Sequence, residues 1–306
     1  MSGSAVLVAI VGPTASGKSA VAMAVARQLG DVELMSIDSM QVYRGMDIGT
    51  AKPSASERAE VRHHLIDLVD PSDDFTVAEF QRAYRDAVAG VAARNARALL
   101  VGGTGLYHRA VIDELDLPGE WPEIRARYAI EASQAGTAVL HAHLATIDPQ
   151  AASKIDPSNT RRVIRALEVC EGSGRRFSSF GPGLDAYPSS PVQQIGLRWD
   201  RARLAARIER RVQAMIEAGL ADEVERLLER GMSRTARQAL GYKEMIDHVE
   251  GRISLDEAAD LTVLRTRQFA VRQLRWFQRD PRLRWVDVED DPVAAAAPAV
   301  LDALAT

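Results

Sequence analysis

AVLVAIVGPTASGKSAVAMAVARQLG, residues 5–30, sets an apolar run, a glycine-bounded loop and an alanine-rich stretch in immediate succession. The run AVLVAIV (5–11) reads as a buried strand, and SAVAMAVARQL (19–29) has the composition and spacing of a helix. Between them, Gly12-Pro13-Thr14-Ala15-Ser16-Gly17-Lys18-Ser19 fits the phosphate-binding pattern G-x-x-x-x-G-K-[ST]. The glycines let backbone N–H groups turn inward around an oxyanion, and Lys18 adds a positive charge. The following helix aims its positive end at the anion, and the Ser19 hydroxyl is a candidate ligand for Mg²⁺. All eight residues from Gly12 to Ser19 are therefore candidate binders of a phosphate or diphosphate.

Outward from this loop, strands and helices alternate. VELMSI (32–37) predicts a second strand that delivers Asp38 at its carboxyl end, and HHLIDLVD (63–70) a third short strand and its exit. TVAEFQRAYRDAVAGVAARN (76–95) has helical spacing, and RALLVGG (97–103) reads as a strand leading into another helix. The pattern predicts an α/β fold with a P-loop NTPase-like parallel sheet and crossover helices. Ligands in such sheets lie at the carboxyl ends of strands, which places Gly12–Ser19, Asp38 and Gly102–Thr104 on one rim. Residues 113–190 read as helical, broken by Asp-Pro pairs, and predict a helical insertion domain. PVQQIGLRWD (191–200) predicts a return strand, followed by an arginine-rich helical region and a short strand LRWVDV (283–288). The core is thus expected over 1–112 and 191–290, with 291–306 a tail of low information.

Composition narrows the class. The 306 residues carry a net charge of −4, so the whole protein is not a polycation, although a local basic face is compatible with that sum. The single cysteine, Cys170, excludes an internal disulfide and a cysteine-built metal site, and its apolar helical position predicts a packed thiol. The first apolar stretch is short and lacks a basic leader, so it does not read as a signal peptide, and no segment approaches a membrane span. A cytoplasmic protein is expected, and nothing demands more than a monomer. His63–His64 and His141 with His143 lack partner ligands at metal spacing and are read as structural or surface residues.

A nucleoside triphosphatase would add a second metal-binding acid at a strand end. The best later strand, RALLVGG, ends in glycine instead, and no arginine lid of the small-molecule-kinase kind is legible. The loop therefore suits a diphosphate that departs, neutralised by Mg²⁺, more than a phosphoryl group that is transferred.

IDSMQVYRGMDIGTAKP (37–53) is long, specific and unexplained by folding needs. With VGPTASGKS, HHLIDLVDPSDDFT, VGGTGLYHRAV, RRVIRALEV, ALGYKE and RTRQFAVRQLRWFQRD, it resembles the tRNA dimethylallyltransferases, in the family's order, from about residue 6 to about 285. The resemblance implies transfer of a dimethylallyl group from dimethylallyl diphosphate to N6 of the adenosine 3′ of the anticodon (tRNA position 37). Pyrophosphate is released and Mg²⁺ is required. It implies Asp38 as the catalytic base and Thr104 beside the reaction centre, orienting the amine or the bridging oxygen. Gly12 to Ser19 would hold the diphosphate, with Ser19 on the metal. It further implies tRNA contacts from Asp38, Ser39, Met40 and Gln41, from Arg162 and Arg165, and from Gln238, Gly241, Tyr242 and Lys243.

The exocyclic adenine amine is a poor nucleophile because its lone pair is delocalised, so it needs a base to take its proton, and Asp38 is the best placed candidate. RNA affinity is expected from residues 265–285, where seven arginines and one acid interleave with Phe269, Trp276, Phe277 and Trp285. The aromatics there read as core rather than base-stacking platforms. The helical insertion is expected to grip the anticodon stem-loop. Three alternatives stay open on sequence: prenylation of free adenine nucleotides, a nucleotide-binding small-molecule kinase that turns over ATP, and a non-catalytic RNA-binding switch. The arginine-rich third and the insertion argue against the first, the missing second acid against the second, and Asp38 with Thr104 against the third.

Overall fold

A computed structural model describes residues 7–181 and 183–305. Ala5 and Val6 of the first expected strand, and Thr306 of the tail, lie outside the described residues. The chain divides into two compact units, one from the segments before Asp113 and after Pro188, the other from Asp113–Pro188.

The first unit opens with β1 (Leu7–Val11), α1 (Lys18–Leu29), β2 (Val32–Ile37), α2 (Ala55–Glu60), β3 (His63–His64), α3 (Val77–Ala93), β4 (Arg97–Gly102) and α4 (Gly105–Ile112). The second unit holds α5 (Pro122–Ala135), α6 (Thr137–Ile147), α7 (Pro149–Lys154) and α8 (Thr160–Ser173). The chain returns to the first as β5 (Gln193–Trp199), α9 (Arg201–Glu217), α10 (Leu220–Arg230), α11 (Arg234–Arg237) and α12 (Tyr242–Val249). It ends with α13 (Leu255–Phe277), β6 (Leu283–Val288) and α14 (Pro292–Ala305).

The six strands form one parallel sheet in the order β3-β2-β4-β1-β5-β6. Successive side chains leave a strand on opposite faces. Ala9, Val11, Met35, Ile37 and Leu100 accordingly enter one core, and Val8, Ile10, Leu34, Leu99 and Leu197 the other. Helices cover both faces, as a parallel sheet requires. The register levels three strand ends, because Gly102 pairs with both Val11 and Ile37. A Cβ at Gly102 would lie 2.0 Å from the Ile37 carbonyl oxygen, so only glycine permits this close approach.

The third strand is short, as expected: it covers His63–His64, and Leu65 and Asp67, with φ of 64° and 55°, turn the chain out of the extended state on its exit. One expectation is corrected. The segment after 290 is not an uninformative tail. Its residues 292–305 form α14, whose Ala296, Val300 and Leu304 are buried in the core that also contains Val21, Val25 and Ala26 of α1.

The β2–β3 edge carries a buried charge. Glu33 accepts from Arg94 Nε at 2.8 Å and from the Arg94 guanidinium again at 2.7 Å, and lies 2.6 Å from His64 Nε2. Hydrogen bonds from Arg94, with a smaller contribution from His64, outweigh burial and hold the Glu33 carboxyl down to about 2. A depressed carboxylate stabilises the fold above its unfolded value and loses that contribution as pH falls through the folded one. Melting temperature should therefore fall between about pH 4.5 and 2. In the same scans Glu33→Gln should be less stable at neutral pH and show a shallower slope over that window. An unchanged slope would assign the acid sensitivity to other carboxylates.

The second unit has its own core of Tyr128, Leu140, Leu144, Val163 and Leu167, with the Cys170 thiol buried at its edge and accepting from Phe177 N at 3.3 Å. Its interior also holds the Glu168 carboxylate, which accepts from Trp121 N at 2.8 Å, Arg125 Nε at 2.8 Å and Arg165 at 2.9 Å.

Candidate active site at the carboxyl edge of the sheet

The levelled ends of β1, β2 and β4 bring the loop 12–19, Asp38 and Gly103–Thr104 to one rim, where they meet a cavity of ≈ 440 Å³. Asp38, Gly103 and residues 14–19 line it; Gly12 and Pro13 form the turn behind. No side chain caps α1. The N-terminal turn of this helix, which opens with Lys18 and Ser19, therefore presents N–H groups and a positive dipole end to an anion. Lys18 Nζ is folded back on the loop, donating to Pro13 O at 2.7 Å and Gly12 O at 3.0 Å. Burial, and then the neighbouring Arg211, pull Lys18 down to about 7, against a smaller opposing pull from Asp38.

Asp38 follows directly on β2, and its Oδ1 accepts from Met40 N at 2.8 Å. Thr104 precedes α4; its Oγ1 accepts from Ser39 N at 3.1 Å and donates to Ser39 Oγ at 3.4 Å. The carboxylate and the threonine hydroxyl are thus joined through one residue of backbone. Gln41 spends its side chain inside its own loop: Oε1 accepts from Ser36 Oγ at 2.7 Å, and Nε2 donates to Thr50 O at 3.1 Å.

The loop from Asp38 to Pro53 is fixed by two buried charges. Lys52, whose side chain has no exposure, donates to Tyr43 O at 2.8 Å and meets Asp67 at 2.6 Å and Asp47 at 2.7 Å. Glu223 of α10 accepts from the backbone N–H groups of Asp47, Ile48 and Gly49, and from the Tyr242 hydroxyl at 2.6 Å.

Tyr242 is therefore placed differently from the expectation of an RNA contact. It is fully buried, with its hydroxyl spent on Glu223, and Gly241 is buried beside it. Gln238 is exposed and Lys243 half-buried, so the side chains this segment offers to solvent are those two. Tyr242→Phe should lower stability by about 1.5–3 kcal/mol, the worth of a hydrogen bond to a buried charge, with tRNA affinity within about threefold. A filter-binding constant that moves while the melting curve does not would restore the direct contact.

Similar sorting applies to the arginines. Arg265 pairs with the buried Glu244, Arg267 with Glu209 and Arg282 with Asp280. Arg272, Arg275 and Arg279 are exposed and form no ion pair among the described residues; Arg272 and Arg275 share one face in the last turns of α13, and Arg279 follows in the turn beyond it. Phe277 is buried, in line with its reading as core. In the second unit Arg162 is exposed at the start of α8, whereas Arg165 also donates to Pro118 O at 2.9 Å, so its guanidinium is engaged internally.

The structure adds site residues that the sequence did not reveal. Arg207, Arg210 and Arg211 of α9 line the cavity at i, i+3 and i+4, an arginine cluster where none was legible. Arg207 lies 4.4 Å over the Trp199 ring and donates to Ala15 O at 2.9 Å, while Trp199 Nε1 donates to Ser16 O at 2.9 Å. Arg211 is drawn below its ordinary range by burial, with Asp38 opposing the shift. Gln273 of α13 completes the rim: its Oε1 accepts from Thr14 N at 2.8 Å and its Nε2 donates to Gly103 O at 2.8 Å.

A divalent cation fits this donor set in one way. Among the described residues no group of three or more His, Cys, Asp or Glu side chains forms a cage. The exposed Ser19 hydroxyl beside a diphosphate-shaped loop suits Mg²⁺, which binds through few protein oxygens and takes the rest from phosphate and water.

The sequence profile of a family described as IPP transferase matches residues 41–280. A curated tRNA dimethylallyltransferase of Desulforudis audaxviator is 48% identical over 295 residues, covering 95% of each chain. The crystal structure of a tRNA isopentenylpyrophosphate transferase from Bacillus halodurans is 40% identical, with a TM-score of 0.70 over 99% of this chain and 97% of that one. A eukaryotic dimethylallyltransferase, 24% identical, shares the fold with a TM-score of 0.80 over 97% of this chain and 78% of its own.

Proposed function

The chain belongs to the IPP transferase family, and from that premise we propose that it moves a dimethylallyl group from dimethylallyl diphosphate to N6 of the adenosine 3′ of the anticodon, releasing pyrophosphate. Prenylation of tRNA is the activity for which its relatives are named, at identities near one half over almost the whole chain. The rival readings, a free adenine nucleotide as acceptor or a small-molecule kinase, gain no support from those relatives.

The observation that carries the reading is the juxtaposition at Gly102, which sets an anion-binding loop beside a carboxylate and a threonine hydroxyl. Residues 12–19 bind the diphosphate, and Lys18, Arg211 and the α1 N-terminus stabilise its growing charge as the allylic C–O bond breaks. Ser19 would hold Mg²⁺, which would supply further charge neutralisation to the leaving group. The N6 lone pair forms the new bond to the allylic carbon while Asp38 accepts the N6 proton. Thr104, tied to Ser39, orients the amine or the bridging oxygen. Ser39, Met40 and Gln41 shape the loop in which the adenosine is received, and a base must leave its stack to reach it.

Exposed Arg272, Arg275 and Arg279 track the RNA backbone, with Gln238, Lys243 and, on the helical unit, Arg162 adding contacts to the anticodon stem-loop. The enzyme acts as a monomer in the cytoplasm, where its acceptor resides. No helix among the described residues is long and apolar enough to cross a membrane.

One incubation tests the reading: Mg²⁺, dimethylallyl diphosphate, unmodified tRNA and AMP together, followed by nucleoside digestion and mass spectrometry. A C5 unit on adenosine from tRNA alone is the expected result. A C5 unit on AMP alone moves the acceptor to free nucleotides, and transfer to neither refutes prenyl transfer.

A further inference from the structure

We propose that Gln273 is a positioning residue for prenyl transfer, fixing the distance between the diphosphate cradle and Thr104; this rests on the proposed reaction. The two halves of the site leave neighbouring strand ends, β1 and β4, which the ladder pairs as far as Val11 and Gly102; past that point the loops 12–14 and 103–104 are tied by a side chain from elsewhere. Gln273 bonds both: Oε1 accepts from Thr14 N at 2.8 Å, and Nε2 donates to Gly103 O at 2.8 Å. The amide does this without charge, since its two ends are an acceptor and a donor. The residue is 7% exposed, and its bond to Gly103 O is buried, so water competes little for that bond.

The chain of contacts runs on from Gly103. Thr104 Oγ1 accepts from Ser39 N at 3.1 Å, and Ser39 separates Asp38 from Met40, whose N–H donates to Asp38 Oδ1. A Cβ on Gly103 would lie 2.4 Å from Gln273 Nε2, so the amide presses directly on this backbone. Three residues further along α13, Trp276 packs over Gly105 on the other side of Thr104. The helix thus brackets Thr104, with Gln273 before it and Trp276 after it. The same helix carries the exposed Arg272 and Arg275, and Arg279 follows in the turn just past its end. Seating of an RNA backbone on those arginines and the spacing of the reacting groups therefore both involve α13. A displacement of about 1 Å between reacting groups costs on the order of 10²-fold in rate, which is the scale of effect available to such a residue.

The test is Gln273→Met, which keeps the volume and removes both hydrogen bonds. Wild-type transfer to tRNA is the control; its absence would refute the proposed reaction and not this inference. With wild type active, single-turnover rate at saturating substrates should fall about 10–100-fold in the variant. The tRNA dissociation constant and inhibition by inorganic pyrophosphate should stay within about threefold. Adding Gln273→Met to Thr104→Val should cost less than about threefold more, because the lost effect passes through Thr104. A rate within threefold of wild type would overturn the proposal. So would a parallel loss of rate and pyrophosphate inhibition, which marks a packing role, or full additivity with Thr104→Val. Should Gln273→Met fail to fold, Gln273→Glu retains the acceptor for Thr14 N, loses the donor to Gly103 O, and is judged on the same single-turnover rate and double-mutant criteria.

Discussion

Asp38→Asn should lower single-turnover prenyl transfer by about 10²–10⁴-fold, the range that a positioned general base contributes, while tRNA affinity stays within about threefold. The asparagine keeps an oxygen to accept the Met40 N–H, now bonded to Oδ1 at 2.8 Å, so the entry to the loop keeps its shape. What it removes is the ability to hold the N6 proton as the C–N bond forms. An adenine amine that retains its proton would become a cation on attack, and nothing else lining this end of the cavity combines an anionic oxygen with a place at a strand terminus. Glu57 also lines the cavity, but it closes a capping box with Ser54 at the start of α2. A rate within threefold of wild type would remove Asp38 as the base. A rate lost in step with tRNA binding would make it an RNA contact instead.

The loop 12–19 and the rim it shares with Asp38 and Thr104 are legible in the sequence because they follow from local rules. The phosphate loop is contiguous, and a parallel sheet puts functional residues at its carboxyl ends whichever strands are neighbours. Residues whose meaning depends on distant packing were not legible. Arg207, Arg210 and Arg211 lie in RIERRVQ, within a region that reads only as helical and arginine-rich. Their entry into the cavity is decided by Leu204, Ile208 and Val212 on the neighbouring face of α9, which bury it in the core on one side of the sheet. Gln273 sits among arginines in a segment that reads as RNA-binding, and only the fold brings it to Thr14, far away in sequence.

Tyr242 shows the opposite error. A motif match identifies a residue as needed without saying whether it touches the ligand or holds the residues that do. Here it holds Glu223, which holds the backbone of residues 47–49. Arg165 repeats the pattern, with its guanidinium on Glu168 and Pro118 O. The final helix was missed for a compositional reason: an alanine- and proline-rich stretch carries little periodic contrast, yet alanines are what allow a helix to pack closely on the alanine-rich α1.

Arg211→Ala should cost about 10²–10³-fold in single-turnover rate, the scale found when one preorganised donor to a developing oxyanion is removed. Of the cations that line the cavity, Lys18 and Arg211 are the two whose charges act on each other, and they are not equivalent. Lys18 is pulled down to about 7 by burial and then by Arg211, so near neutral pH it holds its proton only in part while the site is free of anion. Burial lowers Arg211 too, but a guanidinium retains its charge at any physiological pH. Arg211 thus keeps its positive charge throughout, and an anion bound at the loop would offset its repulsion of Lys18. Removing it takes away both a direct partner for the leaving pyrophosphate and the planar fork that matches its oxygens. Arg211→Lys restores charge without the fork and should recover part of the rate, whereas loss of a merely structural arginine would not distinguish lysine from methionine. Inorganic pyrophosphate should inhibit the alanine variant more weakly than wild type, with tRNA affinity within about threefold. Undiminished pyrophosphate inhibition in Arg211→Ala would place the charge outside the leaving-group site and leave that role to Lys18, the α1 N-terminus and the other arginines of α9.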